Sequence, residues 1–282
     1  MATPPEQPSG GALRNAEHDR SLHEVTASVT AIARPVPSVL RVTATLDRSG
    51  DDPHWALPNV AFRIHLDGPA YGGASRIYTV RSFDAPAGAF TFDIVLHHHA
   101  SPMMRWGNSL RTGDVFRLTG PRPQFTVPAD ADKKIALFLD ETGIPALHAM
   151  LQQWPAGAAG IGWVVTDDAQ AFDELPAVPG LALQRLDTAH VAPDGPLAAQ
   201  ARALADPRDY TIWGAGERDE MRAIRQHFRN VAGLDKERVL VAGYWKRGVS
   251  NTDIDARRKH SFEQLIANGG TLADFDDLAV EV

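Results

Sequence analysis

The 282-residue chain contains no cysteine. That absence excludes disulfides, thiolate zinc sites, a cysteine nucleophile and any cysteine-ligated iron–sulfur cluster, so redox chemistry here needs an organic cofactor. No apolar run approaches the length that crosses a bilayer, and the amino-terminal MATPPEQPSGGALRNAEHDR lacks the apolar core of a secretory signal. A cytoplasmic protein without membrane insertion is expected. Positive charge is also in deficit: 28 Lys and Arg against 35 Asp and Glu leave a formal charge of −7. Broad binding to nucleic acid is therefore not expected, although a local cationic patch is compatible with an acidic protein. There is no internal repeat, catalytic triad or convincing carboxylate pair. With 44% hydrophobic residues, the chain can bury one large core or two ordinary ones.

What is present changes texture midway. Residues 1–20 are rich in Pro and Gly and read as a disordered tail. Glu24 to Leu46 is dense in Val, Thr and Ile around a proline-containing break, the pattern of two strands and a turn. NVAFRIHLDG, SRIYTVRSFD, GAFTFDIVLHHH and GDVFRLTGPR follow at short intervals. Together they predict an antiparallel six-stranded barrel over residues 21–128. After Pro128, KKIALFLD is almost unbroken apolar sequence followed by the helix-like TGIPALHAMLQQW. Continuous apolar strands alternating with helices predict a parallel sheet, so residues 129–282 read as an α/β nucleotide domain with a helical extension beyond Gly248.

Five stretches carry candidate chemistry. In Ser75–Asp84, read as one extended strand, Arg76, Tyr78 and Val80 share one face and Ile77, Thr79 and Arg81 the other. This is either an ordinary exposed edge strand or a dinucleotide clamp of cation, aromatic ring and hydroxyl. His97–His99 look metallic, but neighbours in an extended strand point to opposite faces and cannot ligate one ion, so no metal site is expected. Pro102 then opens a helix whose N–H groups suit a pyrophosphate, with Trp106 placed to bury. At Asp140–Pro145, Thr142 reads as a helix cap and Pro145 as a first-turn proline, at a strand-to-helix crossing where open α/β sheets bind ligands. Gly214 and Gly216, before Glu217 and a helix, either ease a turn or admit a ligand to the backbone. Lys246 and Arg247, beside Tyr244 and Trp245, read as an anion-binding lip.

In this order the stretches resemble the siderophore-interacting protein family, FAD-dependent ferric-siderophore reductases on a ferredoxin-reductase-like scaffold. The resemblance runs from about Glu24 to Gly248. It implies that the R-x-Y-T strand, here Arg76, Tyr78 and Thr79, lies against the flavin, with Arg81 the next outward cation. His97 to Trp106, including Pro102, Met103 and Met104, corresponds to the stretch that wraps the FAD phosphates, and Asp93 fits four residues earlier. The family's D-E-T-A-L-P-A appears from Asp140 through Thr142 to Ala146, its W-A-A-G-E as Trp213 to Glu217, and its G-Y-W-R-x-G as Gly243 to Gly248. One departure is Met104, where the family has a serine hydroxyl. The implied activity is transfer of electrons from NADH or NADPH, with ferredoxin as an alternative donor, through FAD to a ferric siderophore drawn to Lys246, Arg247 and Arg81, in a monomer. The alternatives are a general flavin reductase serving a protein or quinone, and a non-enzymatic siderophore binder.

Overall fold

The computed structural model describes residues 23–47, 52–96, 101–124, 126, 133–188, 193–271, 275, 278, 280 and 281. The first half forms one antiparallel sheet of seven strands, β1 (His23–Val36), β2 (Val39–Leu46), β3 (Val60–His65), β4 (Ser75–Thr79), β5 (Ser82–Asp84), β6 (Ala89–Val95) and β7 (Val115–Pro123), in the order β4-β3-β7-β1-β2-β6-β5. The two edge strands, β4 and β5, are consecutive in the chain with only Val80 and Arg81 between them. Val80 donates its N–H to Val60 O on one side (2.8 Å) and Arg81 donates to Thr91 O on the other (2.8 Å). The sheet therefore curls until its edges meet, which closes the barrel.

That crossing also explains why seven strands stand where six were expected. The stretch Ser75–Asp84 is two strands broken at Val80–Arg81, and the alternation from Ile77 through Thr79 to Arg81 ends at the break. Inside, alternate positions fill an aromatic core, with Phe62 against Phe90 at 5.2 Å and Phe92 at 5.3 Å, both edge to face. Each such ring, fully buried, contributes about 1.5–3 kcal/mol. Helix α1 (Pro102–Ser109) adds Met103, Met104 and Trp106 to this core, and Gly107 packs closely on Leu40 and Ile94.

The second half is a parallel sheet of β8 (Lys134–Asp140), β9 (Gly160–Val165), β10 (Leu181–Leu186), β11 (Tyr210–Glu217) and β12 (Val239–Trp245), ordered β10-β9-β8-β11-β12. β8 is buried on both faces. Leu137 and Leu139 pack with α2 (Ile144–Gln152), whereas Ala136 and Phe138 pack with α4 (Pro196–Ala203) and α5 (Arg218–Gln226). The chain runs outward through β9 and β10, then returns to the other side of β8. The reversal lies between β8 and β11, the topological position at which open α/β sheets place their ligands. Helix α6 (Asn251–Ala267) follows β12, and the chain then turns back. Phe275 meets Phe262 at 5.7 Å, Leu278 and Val280 are buried, and Arg222 donates to the Leu278 and Val280 carbonyls at 2.7 and 3.2 Å.

The two halves are clasped at several points. Arg41 of β2 forks onto Asp93 of β6 (Nε–Oδ1 2.7 Å, Nη2–Oδ2 2.9 Å) and onto Glu174, just past α3 (Ala169–Asp173), at 2.9 and 2.8 Å. Ser38 donates its hydroxyl to Asp168 (2.6 Å) and Gln153 its amide to Ala56 O (2.9 Å). Val36 and Val39, flanking the β1–β2 turn, insert into the α2 core of the parallel domain.

Candidate functional site

Strand β4 pairs with β3 on one side only, in register Tyr78↔Phe62 and Arg76↔Ile64. Because Val80 bonds Val60 and Leu66 bonds Ala74 O, the antiparallel alternation makes 80, 78, 76 and 74 the bonded positions. The N–H and C=O groups of Ile77 and Thr79 are therefore directed off the sheet edge. Arg76 is half-buried, with Nη1 on Ser75 O at 2.7 Å, while Ile77 is 42% exposed. Tyr78 leans its ring on Phe92 (5.5 Å) and Phe62 (6.4 Å), and burial pushes its phenol well above the ordinary value.

Thr79 links this edge to the parallel domain through a side-chain hydrogen bond with Tyr244, whose phenol burial pushes up to about 12 against the effect of that bond. Next along β12, Trp245 donates Nε1–H to Asp140 Oδ2 at 2.7 Å. Asp140 also accepts the N–H and hydroxyl of Thr142 (2.9 and 2.5 Å) and the N–H of Glu217 (3.0 Å). Burial pushes the Asp140 carboxyl up, and these donors hold it back. One carboxylate thus ties together the ends of β8, β11 and β12 at the point where the sheet reverses.

This arrangement assigns structural work to several residues read as ligand contacts. A Cβ on Gly216 would lie 2.7 Å from Asp140 Oδ2, and one on Gly214 3.0 Å from Phe138 O, so both glycines serve the chain's own packing. Glu217 caps α5, accepting from Asp219 N (2.8 Å) and Glu220 N (3.0 Å), and it also accepts from Arg247 N (3.2 Å). Thr142 is a donor to Asp140 rather than the cap itself. Pro145 is, as read, in the first turn of α2.

Arg81 is corrected from an outward cation to a buried one: its side chain is 4% exposed, paired with Asp93 at 3.0 Å and Glu174 at 3.3 Å. Asp93, 3% exposed at its side chain, is held between Arg41 and Arg81. Met103, Met104 and Trp106 belong to the barrel core, and Ser101, the α1 cap, accepts the Met104 N–H at 3.2 Å. Pro102 opens that helix as read. His97 lies outside the described residues, as do His98 and His99. Lys246 is paired with Asp219 at 3.1 Å, which leaves Arg247 the exposed cation of the lip. A cleft between the halves is lined by Ser38, Arg81, Asp93, Glu141, Pro145 and Glu174. Arg41, Glu174 and the Thr79–Tyr244 pair were not singled out from sequence, since each joins segments more than a hundred residues apart.

An antiparallel barrel whose edge strands β4 and β5 are joined through Val80–Arg81, set against a parallel sheet with helices, defines a two-domain, ferredoxin-reductase-like frame. Comparison with known proteins narrows the class. The model of the siderophore-interacting protein family matches residues 132–248, and that of the siderophore-interacting FAD-binding domain matches residues 60–125. Ferric acinetobactin reductase of Acinetobacter baumannii is 33% identical over 99% of this chain and 98% of its own length. Ferric vibriobactin reductase of Vibrio cholerae is 26% identical over 64% of this chain and 67% of its own. A solved siderophore-interacting protein from A. baumannii superposes with a TM-score of 0.82 at 32% identity, covering 88% of this chain and 99% of that one. The chain belongs to the siderophore-interacting protein family.

Proposed function

We propose that this protein is an FAD-dependent reductase of ferric siderophores. The observation that carries the reading is the open edge of β4, whose Ile77 and Thr79 backbone groups stand outside the barrel's own pairing while the Thr79 side chain neighbours Tyr244 at the carboxyl end of β12. The residues fit a flavin. Outward N–H and C=O groups at Ile77 and Thr79 suit the donors and acceptors along a flavin ring edge, and half-buried Arg76 supplies a cation for a diphosphate. Bound flavin supplies the conversion between a two-electron donor and a one-electron acceptor. The chain's own residues position and select. Thr79 and Tyr244 fix the edge strand, Asp140 fixes Trp245, and exposed Arg247, with Lys246 beside it, favours an anionic substrate at the mouth.

Siderophores grip Fe(III) through hard anionic oxygens that suit Fe(II) less well, so one electron loosens the metal without cleavage of the ligand. No general base is required. The proposed donor is a nicotinamide nucleotide, with ferredoxin as the alternative. Both halves of the site come from one chain, which supports action as a monomer, and a nicotinamide donor supports a cytoplasmic setting. The test is anaerobic reduction of the FAD-loaded protein, then addition of ferric hydroxamate and ferric catecholate complexes with a ferrous chelator present. Stoichiometric trapped Fe(II) with reoxidation of the flavin is expected. A reduced flavin that reoxidises with quinone but not with either ferric complex overturns the reading in favour of a general flavin reductase.

A further inference from the structure

Five strand-to-helix crossings line the carboxyl edge of the parallel sheet; at four of them a carboxylate of the chain accepts from N–H groups of the turn or helix that follows, and at the fifth, after β12, Ser250 caps α6. After β8, Asp140 accepts the N–H of Thr142 (2.9 Å). After β9, Asp168 accepts that of Ala171 (3.1 Å). After β10, Glu220 reaches over from α5 to the start of α4 and accepts from Leu197 N (2.6 Å) and Ala198 N (3.2 Å). After β11, Glu217 accepts from Asp219 N (2.8 Å) and Glu220 N (3.0 Å). In open α/β sheets these N–H groups, with the positive end of the helix dipole behind them, hold the pyrophosphate of a dinucleotide. Here the N–H groups named above are satisfied internally, and a pyrophosphate approaching them meets the chain's own carboxyl groups. Asp140, Glu217 and Glu220 lie close enough that the first two add to the burial holding Glu220 above its ordinary value. Of the neighbouring cations, Lys246 is engaged by Asp219, while Arg247, whose N–H rests on Glu217, is exposed at the lip.

We infer that the nicotinamide donor is engaged through its nicotinamide end alone, with the adenosine and pyrophosphate portion contributing nothing to capture. The inference rests on the function proposed above. Its redox step is a hydride passing from C4 of the reduced nicotinamide to the flavin, so that two electrons and one proton move together and the oxidised pyridinium leaves. That transfer needs a ring stacked at the β4 edge and no anchored phosphate. NADH, NADPH and reduced nicotinamide mononucleotide then form one donor class.

The test uses FAD-loaded protein under anaerobic stopped flow with the three donors, together with calorimetric titration of ADP-ribose, which carries the adenosine and pyrophosphate without the nicotinamide. Expected are second-order constants within about fivefold of one another, a gap smaller than one charge-assisted contact supplies. ADP-ribose should give no saturable heat and should not compete with NADH. Glu217→Gly frees the Asp219 and Glu220 N–H groups at little cost, since Gly is a tolerated cap. In that variant ADP-ribose binding should appear, and NADH should outrun the mononucleotide by about tenfold or more. Glu217→Gln, which retains an accepting oxygen, should keep the site filled.

Three results overturn the inference: saturable ADP-ribose binding to the unaltered protein, a mononucleotide slower than NADH by about a hundredfold, or no gain in Glu217→Gly. If none of the three donors reduces the flavin while dithionite-reduced protein still reduces ferric hydroxamate, the nicotinamide inference fails and ferric-siderophore reduction stands.

Discussion

Asp93→Asn is the most informative single change for the fold. The substitution alters volume little, but it removes the charge that faces two guanidinium groups and turns an amide N–H₂ toward donors. Asp93 accepts Arg41 Nε at 2.7 Å, Arg41 Nη2 at 2.9 Å and Arg81 Nη1 at 3.0 Å, with the Asp93 and Arg81 side chains 3% and 4% exposed. Breaking a buried pair by neutralising one partner costs about 3–5 kcal/mol, because the other charge stays buried. Native stability is only about 5–15 kcal/mol, so this is a large fraction. At roughly 2–4 °C per kcal/mol for a chain of this size class, the thermal midpoint should fall by about 6–20 °C. Glu174→Gln is the internal control. Glu174 touches the same arginines but its side chain is 28% exposed, so its loss should cost about 1 kcal/mol. Circular dichroism through thermal and urea unfolding reads both. A shift of under about 2 °C for Asp93→Asn, or equal losses for the two variants, refutes the argument that burial sets the cost.

Three further outcomes are expected. Burial holds Glu220 at about 7, above its ordinary 4.5, so the fold binds a proton there that the unfolded chain releases, and stability falls as pH rises between those values. Glu220→Gln mimics the protonated form and keeps an acceptor for Leu197 and Ala198; its thermal midpoint should gain on the parent's at pH 8 relative to pH 5, and an equal difference at both refutes this. Arg76→Ala should weaken FAD retention by about ten- to a hundredfold, measured by flavin titration, if a charge-assisted contact is lost; unchanged affinity removes Arg76 from the flavin site. Arg247→Glu should raise the KM for an anionic ferric complex, less so as salt rises, while flavin reduction stays unchanged; a KM unaltered at low salt counts against the cationic lip.

Much of this architecture was legible in the chain. The change from short alternating segments to long apolar runs near Pro128 separates the two sheets, and R-x-Y-T, read either as an exposed edge strand or as a dinucleotide clamp, falls on the edge strand β4. The break at Val80–Arg81 was not legible, because Val-Arg-Ser-Phe continues a good strand pattern and only barrel closure forces the crossing. With it went the reading of Arg81, whose partners Asp93 and Glu174 are distant in sequence. Glu217 was read as a ligand contact through the W-A-A-G-E resemblance, although the helix that follows it directly was a signal for the cap it forms. Asp140 sat inside a recognised stretch, but no local pattern announces that one carboxylate will collect a tryptophan 105 residues away.

The clasp between the halves bears on the geometry of the site. Contacts at Arg41–Glu174, Ser38–Asp168, Gln153–Ala56 and Thr79–Tyr244 are spread along the boundary rather than gathered at one hinge, so no single torsion opens the domains. A swing of one half against the other would have to break all of them together, so the frame keeps the β4 edge and the carboxyl ends of the parallel sheet at a set separation while reactants come and go.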